Sequence, residues 1–215
     1  MDNLTERACA PNLRSSQLAE QGCALKLEKR SYRLGKRAAQ QAETRRRIVE
    51  AAINLHGTIG PAATTMSLLA ERAGVQRHTL YAHFPDERSL LMACSGLFME
   101  LNPLPDPDPW RSLELTARLS AGLAELYRWY ERNAAINGCV LRDAEIHPGV
   151  REAAELRMGP PFAAIRAILA QDLGAEQQAM LGLMMSFFSW RTLVRDEGLA
   201  SAAAVRRAVA AVLAA

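Results

Sequence analysis

Cysteine is scarce in this chain of 215 residues, and the four that occur, Cys9, Cys23, Cys94 and Cys139, are widely dispersed with no CxxC pair. The four histidines form no group with them at metal-ligand spacing, so neither a disulfide scaffold nor a zinc site is expected. Long apolar runs are also missing. The N-terminus has no continuous apolar segment of the secretory kind, and the longest apolar-rich stretch, around residues 179–190, is too short to span a bilayer. A cytoplasmic protein with no membrane partner is therefore expected. GTIGPA at 57–62 lacks the Lys and Ser/Thr of a phosphate loop, and GxSxG, HExxH and a strand-borne GxGxxG do not occur, so neither an enzyme nor a cofactor is expected. Alternating strand patterns are absent too, which leaves an all-α fold.

What is present is apolar residue at helical spacing, 49% of the chain, enough for a small domain and a larger one. Charge is unevenly placed. Residues 1–101 hold 14 Lys or Arg against 10 acidic residues, whereas residues 102–215 hold 12 against 13. All three lysines, Lys26, Lys29 and Lys36, lie in the first forty residues, beside Arg30, Arg33 and Arg37, and Arg45, Arg46 and Arg47 follow. Residues 1–40 are read as a basic, flexible extension, because their apolar positions keep no sustained period.

The most informative stretch, residues 65–84, reads TMSLLAERAGVQRHTLYAHF. Gly74 follows the run of Leu68, Leu69 and Ala73, where a left-handed residue ends a helix without a Cβ penalty. Ala70 is small where a second helix must cross closely, and Val75 and Leu80 suit apolar contacts after the turn. That is helix-turn-helix spacing. Upstream, Ile48, Ala51, Ala52, Leu55 and Ile59 recur at three- and four-residue steps before Gly57, Gly60 and Pro61 close the pattern, so three helices share a core. The second helix of the motif then carries Gln76, Arg77, His78, Thr79, Tyr81 and His83, polar groups suited to a major groove.

Residues 44–93 resemble the DNA-binding domain of the TetR family of transcriptional regulators. The resemblance lies in the basic opening of the first helix, the TT before the second, LAERAGV, TLYAHF, and the PDERSLL that opens a fourth helix. It implies base reading by Arg77, His78 and Thr79. It also implies backbone contacts from Arg45, Arg46, Thr65, Gln76, Tyr81, His83 and Arg88. One position departs from the pattern: the family's common lysine at the start of the fourth helix is Glu87 here, a charge that phosphate repels, with Arg88 next to it as the substitute cation.

These readings divide the chain into the extension at 1–40, a helix-turn-helix domain at 41–101, a proline-rich linker at 102–109 and a C-terminal domain at 110–215. NPLPDPDP at 102–109 is incompatible with helix. Helical patterns resume with Leu113, Leu115, Leu119, Leu123 and Leu126. A loop is expected around Asn137 and Gly138, another break at His147–Gly149, and a further one at Gly159–Pro161 ahead of a helix containing Phe162. Trp110, Tyr127, Trp129, Tyr130 and Phe162 are candidates for an effector pocket, which the resemblance implies. Residues 177–195 are apolar on more faces than one core can bury. A homodimer interface through Leu181, Met184, Met185, Phe188, Val205 and Val209 is the corresponding expectation. The function expected is a ligand-responsive repressor, cytoplasmic and nucleoid-associated, whose partners are a double-stranded operator, an unknown small-molecule effector and a second copy of the chain. A protein that coats DNA non-specifically is the alternative, and an enzyme the contrasting class.

Overall fold

The protein is described by a computed structural model covering the backbone of residues 13–215, with side chains from residue 35 onward. Among the described residues there is no strand. The described residues form ten α-helices, α1 Leu13–Thr58, α2 Met66–Arg72, α3 Arg77–His83, α4 Glu87–Leu101, α5 Leu115–Arg132, α6 Ala134–Ile146, α7 Pro148–Leu169, α8 Ala175–Met184, α9 Phe187–Trp190 and α10 Ser201–Leu213. A short 3-10 turn at Asp108–Trp110 follows the proline-rich segment, and a π-helical stretch, Arg191–Asp196, follows α9. The chain divides between Arg46 and Arg47 into two compact units. The first is, over its described residues, a single run of helix. The second, residues 47–215, contains the apolar cores.

The first of these cores gathers α1 to α4. Ile48, Ala52, Leu55, Leu69, Leu80 and Phe84 are fully or almost fully buried, with Ala70, Ala73, Leu90 and Cys94 around them. The apolar period of the sequence is thus the buried face of each helix. Ile59 lies past the end of α1 and is half-exposed.

The larger core lies between α5, α7, α8, α9 and α10. Leu119, Leu123, Leu126, Tyr127, Trp129 and Tyr130 of α5 are essentially inaccessible and meet Ile165, Leu169, Leu181, Trp190, Ala208 and Val212. Burying a side chain of this kind contributes roughly 1.5–3 kcal/mol. Gly122 permits the approach of α5 to its neighbours, since a Cβ there would press on Leu169 and Trp110. Arg118 is buried at the same end, donating to the carbonyls of Leu113 and Gln171 at 3.1 and 2.6 Å and to the Asp172 carboxylate at 2.9 Å.

Two sequence expectations fail here. Asn137 and Gly138 are not a loop but the middle of α6, where Asn137 is buried and Gly138 lies beside Phe187. Pro160 and Pro161 do not precede a helix; they sit inside α7. Each proline removes the N–H that would bond four residues back. The carbonyls so released, of Leu156 and Arg157, belong to exposed residues that water reaches. Val150 and Ala153 before the prolines and Ile165, Ile168 and Leu169 after them stay buried, so packing carries the helix through.

Candidate nucleic-acid interface and the cleft behind it

The turn between α2 and α3 is built by backbone hydrogen bonds that its sequence makes possible. Gly74 takes φ +64°, its N–H donates to the Glu71 carbonyl at 3.0 Å, and the Val75 N–H donates to the Ala70 carbonyl at 3.0 Å. This paired closure is a Schellman motif, and it needs the left-handed residue that glycine supplies. At the other end of α2, the Thr65 hydroxyl accepts the Leu68 N–H at 3.2 Å and caps the helix. Gln76 holds the N-cap position of α3 in extended backbone, and its carbonyl accepts from Thr79 and Leu80.

Burial sorts α3 into two faces. Leu80 is buried in the core, as is Phe84 just after the helix, while Gln76, Arg77, His78 and Tyr81 are exposed and Thr79 and His83 half-buried. Among the described residues the Arg77 guanidinium makes no hydrogen bond or ion pair. His78 Nε2 and Thr79 Oγ1 lie 3.3 Å apart. Thr65 is exposed at the start of α2, and Arg45 and Arg46 are exposed on α1. Arg77, His78, Thr79, Gln76 and Tyr81 are therefore grouped on one short helix.

The end of this domain nearest α4 is tied to α7. Asp86 caps α4, accepting the Ser89 N–H at 2.7 Å, which holds its carboxyl below the usual carboxylate range. Glu87 and Arg88, where the sequence departs from the TetR pattern, both face the start of α7. The Glu87 carboxylate is 3.3 Å from His147 Nε2. The Arg88 guanidinium grips Glu152 with both Nε and Nη2, the shortest contact 2.6 Å. That hydrogen bond raises the Arg88 pKa and lowers that of Glu152.

A second tie joins the loop after α1 to α6, and nothing in the sequence announces it. Asp143 is buried, and its carboxylate accepts the Ala62 N–H at 2.9 Å and the Arg142 Nε at 2.7 Å. Burial opposes its charge, but the Arg142 hydrogen bond and the Ala62 N–H outweigh it and lower its pKa. Arg142 also donates to the Ile59 carbonyl at 3.2 Å. Gly60 has φ +96°, and a Cβ there would collide with Arg142 and Asp143. Close by, His56 is buried with Nδ1 3.5 Å from Cys94 Sγ. Burial lowers the His56 pKa to about 4, against the opposing pull of Asp143, and pushes the Cys94 thiol up to about 12.

In the C-terminal domain a cleft of about 800 Å3 opens among Tyr130, Leu141, Met158, Phe162, Met185 and Phe187, a size that accommodates a drug-sized molecule. One wall is the interruption between α8 and α9. The two carbonyls there accept hydrogen bonds from α5, Met184 from the Tyr127 hydroxyl at 2.9 Å and Met185 from the Tyr130 hydroxyl at 2.6 Å, while Ser186 caps α9. Tyr130 and Phe162 stack across the opening with centroids 6.4 Å apart. Of the five expected pocket residues only these two line the cleft. Trp110 on the 3-10 turn and Tyr127 and Trp129 on α5 pack elsewhere in the main core, in which Tyr130 is buried too.

The expected interface residues divide in the same way. Leu181, Met185, Val205 and Val209 are buried within the chain's larger core, Leu181 on α8, Met185 just after it, and Val205 and Val209 on α10. Met184 and Phe188 remain accessible, and Leu183, in the same apolar segment, is 54% exposed. Met184, Phe188, Leu193 and Ala211 border a shallow groove of about 470 Å3.

Among the described residues no helix is long and apolar enough to cross a membrane, and no group of three His, Cys, Asp or Glu side chains is placed to hold a metal ion.

Residues 48–94 match the model of the tetR family of bacterial regulatory proteins. The tetracycline repressor protein class C of Escherichia coli is 36% identical over 72 residues, which are 32% of this chain and 33% of that protein. The match thus spans about a third of the length of that curated relative. Solved structures share the fold more widely. A TetR-family transcriptional regulator from Streptomyces coelicolor superposes with TM-score 0.57 at 16% identity, covering 80% of each chain, and a HlyIIR mutant protein with TM-score 0.59 at 14% identity, covering 80% of this chain and 96% of its own. The family model rests on α1 to α4, and the likeness of fold to these structures continues through the C-terminal domain.

Proposed function

We propose that this protein is a cytoplasmic, homodimeric, ligand-responsive repressor that binds a near-palindromic operator. Its reading helix is α3, with Arg77, His78 and Thr79 addressed to base edges. Arg45, Arg46, Thr65, Gln76, Tyr81, His83 and Arg88 hold the backbone. One observation carries the reading: α3 buries Leu80 while Gln76, Arg77, His78 and Tyr81 stand exposed together. A guanidinium on such a helix grips guanine O6 and N7 together, worth about 1–3 kcal/mol of discrimination. Two-fold symmetry places two such helices in successive major grooves. The accessible side chains of Leu183, Met184 and Phe188 supply an apolar surface for the second copy. The cleft at Tyr130 and Phe162 is the effector site, and an effector acts only if it prefers the conformation that does not bind DNA.

Selection of bound sequences from a random DNA pool at fixed salt tests this directly. A two-fold symmetric motif is expected, and Arg77→Ala should lower its preference over random DNA between about fivefold and a hundredfold. Binding of every sequence alike, unchanged by Arg77→Ala, would make the protein a non-specific coat and overturn the reading.

A further inference from the structure

The start of α4 is where the sequence departs from its family, and there both charged side chains are turned toward α7. Arg88 is the cation left to meet a phosphate in place of the missing lysine, and Glu152 occupies it through both Nε and Nη2. Glu87 lies 3.3 Å from Nε2 of His147, the residue that caps the same helix. The Arg88–Glu152 ion pair is solvent-accessible, with 62% of the Arg88 side chain and 42% of the Glu152 side chain exposed. Water screens such a pair, so exchanging one anionic partner for another needs no rearrangement of a core. α7 also lines the cleft: Glu155, one turn beyond Glu152, lies on its wall with Met158 and Phe162. The same helix therefore carries both the carboxylate that holds Arg88 and part of the cleft lining.

We propose that Glu152 competes with operator phosphate for Arg88, so that the start of α7 acts as an electrostatic brake on the reading head. Glu152 is then a positioning residue for binding, acting through Arg88. This rests on the reading of α1 to α4 as a DNA-binding domain and adds to it a competitor built into the chain.

The test is a salt titration of operator affinity with the full-length protein and two variants, Glu152→Gln and the double variant Arg88→Gln with Glu152→Gln. Removing the competitor adds one phosphate contact per head, so the log–log salt slope should steepen by about 0.9 per head, or about 1.8 for a two-headed complex. Between 50 and 200 mM salt that amounts to roughly a tenfold larger loss of affinity, with tighter binding at the low-salt end. The double variant should show neither the gain nor the steeper slope. An unchanged slope in Glu152→Gln overturns the proposal, and so does a double variant that keeps the gain, since the effect would then be loss of a repulsive charge rather than release of Arg88. Wild-type protein that discriminates its operator while Glu152→Gln behaves identically refutes only the brake. Absence of operator preference in all three proteins refutes the DNA-binding reading along with it.

Discussion

His56 should make the stability of this protein depend on pH in a range where few other groups titrate. The imidazole is 5% exposed, lies against Cys94 in the core of the first domain, and has its pKa lowered by burial from 6.5 to about 4. In the unfolded chain it takes up a proton near pH 6.5; in the folded chain it does so only near pH 4. The unfolded state therefore binds more protons between these values. Stability contributed by the neutral ring is fully present above pH 6.5 and is lost as pH falls toward 4. At about 1.36 kcal/mol per tenfold change in proton affinity, the whole loss is about 3 kcal/mol, and roughly 2 kcal/mol of it falls between pH 7 and pH 5. Urea unfolding at both pH values and constant protein concentration measures it, with His56→Gln as reference because its side chain does not titrate. Wild-type protein should lose about 2 kcal/mol more than the variant over that interval. Equal losses in the two proteins would refute the argument. Asp143 and Glu152, whose pKa values are lowered, bring their own losses only at more acidic pH.

Glu87→Lys would restore the cation that the family places at the start of α4 and remove the partner of His147. The salt dependence of operator binding should steepen by about 0.9 per head, and a slope equal to wild type would show that this position faces no phosphate. Gly60→Ala forces a side chain onto φ +96° and against Arg142 and Asp143, and thermal unfolding should report a loss of at least about 1–3 kcal/mol; an unchanged midpoint would contradict the clamp between the α1–α2 loop and α6. Replacing both Leu183 and Phe188 by Glu should yield monomers in sedimentation, whereas a dimer that persists would place the interface elsewhere.

Legibility from sequence followed the range of the interactions. Gly74 could be read as the end of α2 because the Schellman closure involves only residues 70–75. Leu80 could be read as buried because the helical period and the motif spacing both locate it. The Asp143 clamp could not be read, because its partner Ala62 is 81 positions away and an acidic residue in a helix is ordinarily solvated. Asn137, Gly138, Pro160 and Pro161 misled for a related reason. Their local preferences favour loops, and the packing of α6 and α7 overrides them.

The helices of the described residues, the helix-turn-helix motif and the departure at Glu87 are consequences of local pattern, since a helix declares its buried face every three or four residues and a tight turn declares its glycine. Which aromatic residues face the cleft was settled by tertiary packing. Tyr127, Trp129 and Tyr130 lie close together on α5, yet of the three only Tyr130 lines the cleft, although the Tyr127 and Tyr130 hydroxyls both bond the interruption between α8 and α9. The partner of Arg88 was settled the same way. A guanidinium pairs with whichever carboxylate the fold brings within reach, and here the start of α7 brings Glu152.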